Sequence, residues 1–236
     1  KMTHFERGAE LVRLGLVDLA EREFRELSRK QSGESEVLWA LAFLLDSASA
    51  HSIAHDIPRR HIDGWRDGYP RDRSDDRWRI AFPMAFSSSV AKWSSQRKLP
   101  RSMVYAIMRE ESGFDPRAES WANARGLLQL MEETASTVAE SVGMKDFEPS
   151  SLFNPSVNVR LGTAYMEELA GELGDHPALI IAGYNGGATN VGRWLKKRGQ
   201  LPLDLWIEDI PYGQTRKYTK RVLATYWTYN WLYGSQ

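Results

Sequence analysis

The chain has 236 residues, 42% of them hydrophobic and 26% charged, an ordinary globular composition with length enough for one large domain or two modest ones. Thirty-one basic residues balance thirty-one acidic ones, so no net field draws the protein to nucleic acid or to an anionic surface. Cysteine is absent, which excludes disulfide and thiolate chemistry and leaves any metal to the five histidines and the carboxylates.

The start, Lys1 to Arg7, is charged and has no apolar leader, and no apolar run of about eighteen residues follows to span a membrane. It reads as a mature or trimmed piece of a larger precursor. Phe5, Ala9, Val12 and Leu16 recur at alternating intervals of four and three, and Ala20, Phe24 and Leu27 do the same after Asp18, predicting two short amphipathic helices. A third is expected from about Ser35 as N-cap, carrying Val37, Leu38, Leu41, Leu44 and Leu45 until the pattern fades near Ala50. Together they predict stacked helical hairpins.

Between His51 and Arg79 the chain mixes charges with Pro58, Gly64, Gly68 and Pro70, so a surface connection with at most short helices is expected. A domain boundary is placed there, giving a hairpin segment over 1–80 and a second domain over 81–236. His51, His55 and His61 lie four and six residues apart in this stretch without an accompanying motif, and no metal is expected. Met84 to Trp93 reads as helical, and Leu99-Pro100-Arg101-Ser102 supplies a stop and a fresh start. Beyond Arg101 no sustained period-two alternation occurs, whereas helical patterns recur at Gly126 to Val142, Pro155 to Leu173, Pro177 to Tyr184 and Thr215 to Tyr233. The fold class expected is all-α. Asn154-Pro155 is a good helix start, with Gly171 or Gly174 as its stop.

In the helix after Arg101, the apolar face of Met103, Val104, Ala106, Ile107 and Met108 has Glu111 about 35° from its centre and Glu110 about 65° away. A carboxyl held against apolar surface keeps its proton more tightly, as a general acid must. Spacing alone favours a plainer reading, two glutamates forming a solvated charge pair at a helix end. Ser112-Gly113-Phe114-Asp115-Pro116 breaks the helix at once, however, and puts Glu111 at a helix-to-loop junction where a cleft can open.

The string Met108-Arg109-Glu110-Glu111-Ser112-Gly113-Phe114-Asp115-Pro116 resembles the glutamate-serine motif of the soluble lytic transglycosylases, whose catalytic Glu directly precedes Ser. Ser120 to Met131 is similar to the second motif, usually Gly-Leu-Met-Gln-Ile-Met, and keeps its Gly, Gln and final Met. Ala182-Gly183-Tyr184-Asn185-Gly186-Gly187 resembles the third, Ala-Tyr-Asn-Ala-Gly. Ile207-Glu208-Asp209-Ile210-Pro211 with Thr215-Arg216-Lys217-Tyr218 resembles the fourth. Order and spacing agree over about Arg101 to Tyr233. The departures are Leu128 for the commoner Met, Gly183 and Gly186 for alanines, and Gln214 where an acidic residue is often seen.

The resemblance implies a goose-type lysozyme-like catalytic domain behind the stacked hairpins. It also implies cleavage of the β-1,4 bond between N-acetylmuramic acid and N-acetylglucosamine in peptidoglycan. One Glu, acting as acid and then as base, replaces the usual two carboxylates of glycoside hydrolysis and leaves a 1,6-anhydromuramic acid end. Glu111 takes that part. Ser120, Gln129, Met131, Tyr184, Asn185, Glu208 and Tyr218 become substrate-binding candidates, with Tyr184 beside Glu111 and Ser120 facing it across the cleft. Without the motifs, Met131 reads as core and both tyrosines as ordinary packing aromatics. The expected setting is the bacterial periplasm, with peptidoglycan strands as partner, no cofactor, no nucleic acid and a monomeric state. Two other readings stay open: a goose-type hydrolase that delivers water to the same bond, and a helical-repeat module that binds peptidoglycan or a protein without catalysis.

Overall fold

The computed structural model describes residues 3–30, 35–67 and 76–234. The chain divides into two compact units, Lys1–Ala85 and Phe86–Gln236. The first holds α1 (His4–Arg13), α2 (Val17–Lys30), α3 (Ser35–Ser47), α4 (His51–His61) and α5 (Asp76–Ala81). α1 opens on a capping box in which the Thr3 hydroxyl accepts from the Glu6 amide and the Glu6 carboxylate accepts from the Thr3 amide, satisfying two donors that helix geometry leaves over. α1 packs on α2 and α3 on α4, around a core that includes Phe24, Leu38, Leu41, Leu45 and Ile57.

The stretch expected as a surface connection is in part core. His51–His61 is a three-turn helix whose Ile53, Ala54, His55 and Ile57 are buried, with Pro58 inside it. Burying an Ile is worth about 1.5–3 kcal/mol, and two of them on one face outweigh much of the cost of an interior proline. The histidines have different partners: His55 hydrogen-bonds the Ala81 carbonyl through Nδ1 at 2.9 Å, whereas His51 pairs with Asp46. Ser35, expected as an N-cap, is the first residue of α3, and Gly68 and Pro70 lie outside the described residues.

The second unit comprises α6 (Ser87–Gln96), α7 (Arg101–Glu111), α8 (Glu132–Ser141), a 3-10 turn (Pro149–Phe153), α9 (Pro155–Leu173), α10 (Pro177–Gly186), α11 (Ala188–Arg198), α12 (Leu203–Glu208) and α13 (Gly213–Tyr233). Among the described residues there are only isolated bridges, Glu119 with Arg125 and Arg125 with Leu130, and no strand, so the class is all-α. α7 is buried along Met103 to Arg109 and packs against α6 and α13, and α13 also packs on α10. α9 starts as expected, the Asn154 side chain accepting from the amides of Ser156 and Val157, and it ends at Gly174, whose φ of +99° suits a residue without Cβ.

Two expected boundaries moved. The helix expected from Met84 begins at Ser87, because Phe86 sits in the left-handed region at φ 54°. The helix expected from Gly126 begins at Glu132: residues 126–129 are a turn, with φ of +76° at Gly126 and +46° at Gln129, and Leu130 bridges back to Arg125. Leu127, Leu128 and Leu130 satisfy helical spacing and are buried, but they are buried from a loop. α11 and α12 have no counterpart among the expected elements.

Candidate active site

α7 ends at Glu111, and the chain then turns through two consecutive left-handed residues, Gly113 at φ 58° and Phe114 at φ 68°, with the Phe114 ring buried. The Ser112 hydroxyl donates to the Leu127 carbonyl at 2.8 Å and fastens the helix end to the returning loop. That loop is held within itself. Arg125 and Leu130 exchange backbone hydrogen bonds, the Gly126 amide donates to Ala118, and the Gln129 side-chain amide donates to the carbonyls of Ala118 and Gly126. Asn158, fully buried on α9, clamps it from below by accepting from the Leu128 amide and donating to the carbonyls of Arg125 and Leu152. Gly126 is required here, since any Cβ would meet the Leu152 carbonyl and the Asn158 amide.

The two glutamates at the end of α7 have different surroundings. The Glu110 side chain is 2% exposed and accepts from Arg109 at 2.7 Å, Arg221 at 2.8 Å and the Thr225 hydroxyl at 2.9 Å. Glu111 accepts from the Tyr218 hydroxyl at 2.6 Å. Burial raises the Glu111 carboxyl from 4.5 to about 7; the Tyr218 hydrogen bond and the Arg221 charge oppose that rise, and the Glu110 charge adds to it. The Tyr184 and Tyr218 phenols are pushed well above 10, first by burial and then by the Glu111 charge, so both stay protonated donors at neutral pH.

Tyr218 holds the contact with Glu111 that the motif reading gave to Tyr184. Tyr184 instead donates to the Leu128 carbonyl at 2.7 Å, tying α10 to the loop, while remaining close enough for Glu111 to act on its phenol. Met131 is 44% exposed, so it is no core residue. Asn185 accepts from the Thr215 hydroxyl at 2.9 Å and clasps α10 to α13. Ser120 and Glu208 have their contacts elsewhere: the Ser120 hydroxyl oxygen accepts from the Ala124 amide, and Glu208, exposed, pairs with Lys220 at 2.6 Å. Gly183 and Gly186 match their neighbours, because a Cβ would lie 2.7 Å from Leu173 at the first and 3.0 Å from Thr215 at the second. Reading by motif missed Asn158 and the Glu110–Arg221 pair. Arg221, three residues after Tyr218 on one helix, was the available signal.

The family model described as Transglycosylase SLT domain matches residues 88–207. The chain belongs to the transglycosylase SLT-domain family. It is 38% identical over 146 residues to the putative soluble lytic murein transglycosylase of Haemophilus influenzae, covering 61% of this chain and 25% of that protein. In three dimensions it is similar to the 70 kDa soluble lytic transglycosylase of Escherichia coli, with a TM-score of 0.82 and 25% identity over 98% of this chain and 36% of that one. An inactive mutant of lytic transglycosylase Slt from Pseudomonas aeruginosa gives a TM-score of 0.80 and 31% identity over 96% and 35%. The chain thus spans about a quarter of the length of the curated relatives it matches. The lysozyme-like all-α fold is shared with these SLT-domain structures. α13, which carries Tyr218, lies beyond the residues the family model matches.

Proposed function

We propose that this SLT-domain chain is the cutting part of a peptidoglycan lytic transglycosylase, breaking the β-1,4 bond between N-acetylmuramic acid and N-acetylglucosamine. The observation that carries the reading is one buried carboxyl with a pKa near 7, Glu111, bonded to a tyrosine that stays protonated. Its neighbour Glu110 is engaged by two guanidinium groups, which leaves a single carboxylate for the acid and base roles. Because Tyr218 donates to Oε1 of Glu111, the acid proton is assigned to Oε2.

In the first step that proton passes to the glycosidic oxygen, the bond from C1 to that oxygen breaks, and the muramic acid N-acetyl oxygen closes on C1. In the second, the Glu111 carboxylate takes the proton of the C6 hydroxyl as O6 attacks C1 and displaces the N-acetyl oxygen. Glu111 ends protonated, the 1,6-anhydro ring is formed, and no water is consumed. A pKa near the working pH serves both directions. Met131, Gln129 and Ser120, on the loop fastened to the end of α7, are assigned to the sugar subsites, together with Tyr184, Asn185 and Glu208. Residues 1–80 are assigned to a helical scaffold and 81–236 to the catalytic domain. The setting is the bacterial cell envelope, in the periplasm, with peptidoglycan strands as partner and the chain acting as a monomer.

Digestion of purified peptidoglycan followed by mass spectrometry tests this. Anhydro-muropeptides are expected, and the Glu111→Gln variant should lose on the order of 10²–10⁴ in rate. Reducing muramic acid ends alone would mean a hydrolase. Undiminished cleavage by the variant would remove Glu111 from the chemistry.

A further inference from the structure

Glu110 is a buried carboxylate that the mechanism above does not use, one residue from the carboxyl that it does use. Its side chain is 2% exposed, and that of Arg109, bonded to it at 2.7 Å, is 4% exposed. Removing two such charges from water costs several kcal/mol each before their attraction is counted. An apolar residue would fill this position at less cost if packing were all that was needed. On the other side of Glu110, Arg221 of α13 binds at 2.8 Å through Nε and is half exposed. The same guanidinium lies 5.7 Å from the centre of the Tyr218 ring, and Tyr218 donates to Glu111. Arg221 therefore touches both neighbours of Glu111: the adjacent glutamate on α7 and the tyrosine on α13.

We propose that Glu110 and Arg221 are positioning residues that set how firmly Glu111 holds its proton, through an ion pair whose two charges act on Glu111 with opposite sign. This rests on the reading of Glu111 as acid and base. The groups acting on Glu111 are Tyr218 and Arg221 from α13 and Glu110 from its own helix, while Tyr184 from α10 stays a neutral phenol under the Glu111 charge. α6, also packed on α7, carries Lys92 and is followed by Arg97, both of them against the Trp93 ring. The Arg221 cation favours the ionised Glu111 and the Glu110 anion opposes it. The balance keeps burial from driving the carboxyl so high that it could not serve as the base of the second step. Arg221 lies toward solvent, so its charge can be removed with little effect on the core.

A packing role and a charge role predict different results. In the full chain, R221M should move the alkaline limb of the kcat/KM profile up by about one pH unit, and E110Q should move it down by about as much. The double variant E110Q/R221M should return it near the wild-type position. Carbon-13 NMR titration of the Glu111 carboxyl in the same variants reads the shift without relying on activity. Shifts in the same direction in the two single variants, or no shift in either, in the titration, would overturn the proposal. If the carboxyl titrates as expected while Glu111→Gln still cleaves, the proposal stands and the catalytic reading fails.

Discussion

Glu111 and Tyr218 lie 107 residues apart in sequence and 2.6 Å apart in space, and their hydrogen bond decides what each can do. The phenol stabilises the ionised carboxylate against a burial that disfavours it. Tyr218→Phe removes that support, so the alkaline limb of kcat/KM should move above 7 while kcat falls; a profile superimposable on wild type would rule out the contact as a determinant. Stability follows from the same shift. Below about 4.5 the carboxyl is protonated whether the chain is folded or unfolded and costs nothing. As pH rises from about 4.5 to about 7 the unfolded chain ionises while the folded one still holds its proton, so stability is lost across that window and levels off above it. Glu111→Gln should therefore stabilise the protein by about 3 kcal/mol at pH 8 and by nearly nothing at pH 4, measured by urea unfolding. An equal gain at both values would contradict the assigned shift. The phase of Glu111 on its helix was legible, because helical period is a local property. That Tyr218, not Tyr184, reaches it was not, because the packing of α13 on α7 decides that contact.

At the scale of elements, the loop after α7 is the part least legible in sequence. Leu127, Leu128 and Leu130 fit a helical period, yet their backbone groups bond to Ser112, to Asn158 and Tyr184, and to Arg125 across the loop. Period tells which side chains are apolar, and both a helix and a clamped loop can bury them. Asn158→Ala takes their side-chain partner from two buried backbone groups, the Leu128 amide and the Leu152 carbonyl, and should cost about 2 kcal/mol or more, with a matching fall in the unfolding midpoint. Gly126→Ala combines a left-handed φ with a collision against the Leu152 carbonyl, and a lower midpoint together with a raised KM is expected, since the same loop carries Gln129 and Met131. An unchanged KM in a destabilised Gly126→Ala protein would separate the loop from substrate binding. The helices from Pro155 and Pro177 were legible to within a few residues, because Asn154 and the prolines mark their starts in the local sequence.

For the whole molecule, every hydrogen bond described around Glu111 joins residues of the unit Phe86–Gln236. Residues 86–236 produced alone should fold by circular dichroism and release the same anhydro-muropeptides; a folded but inert fragment would show that the site depends on more of the chain. The sequence by itself determined the all-α class, the capped helix starts and the family, because periodicity, caps and motifs are carried by neighbouring residues. It also marked Glu111 over Glu110, by the serine that follows. Only the tertiary structure decided that α4 is core rather than connection, that residues 126–130 are a loop, and that Glu110 is bound by Arg109 and Arg221 while Glu111 is buried against Tyr218. Those outcomes depend on which distant helices meet, and burial and charge act on a carboxyl through neighbours in space rather than neighbours in the chain.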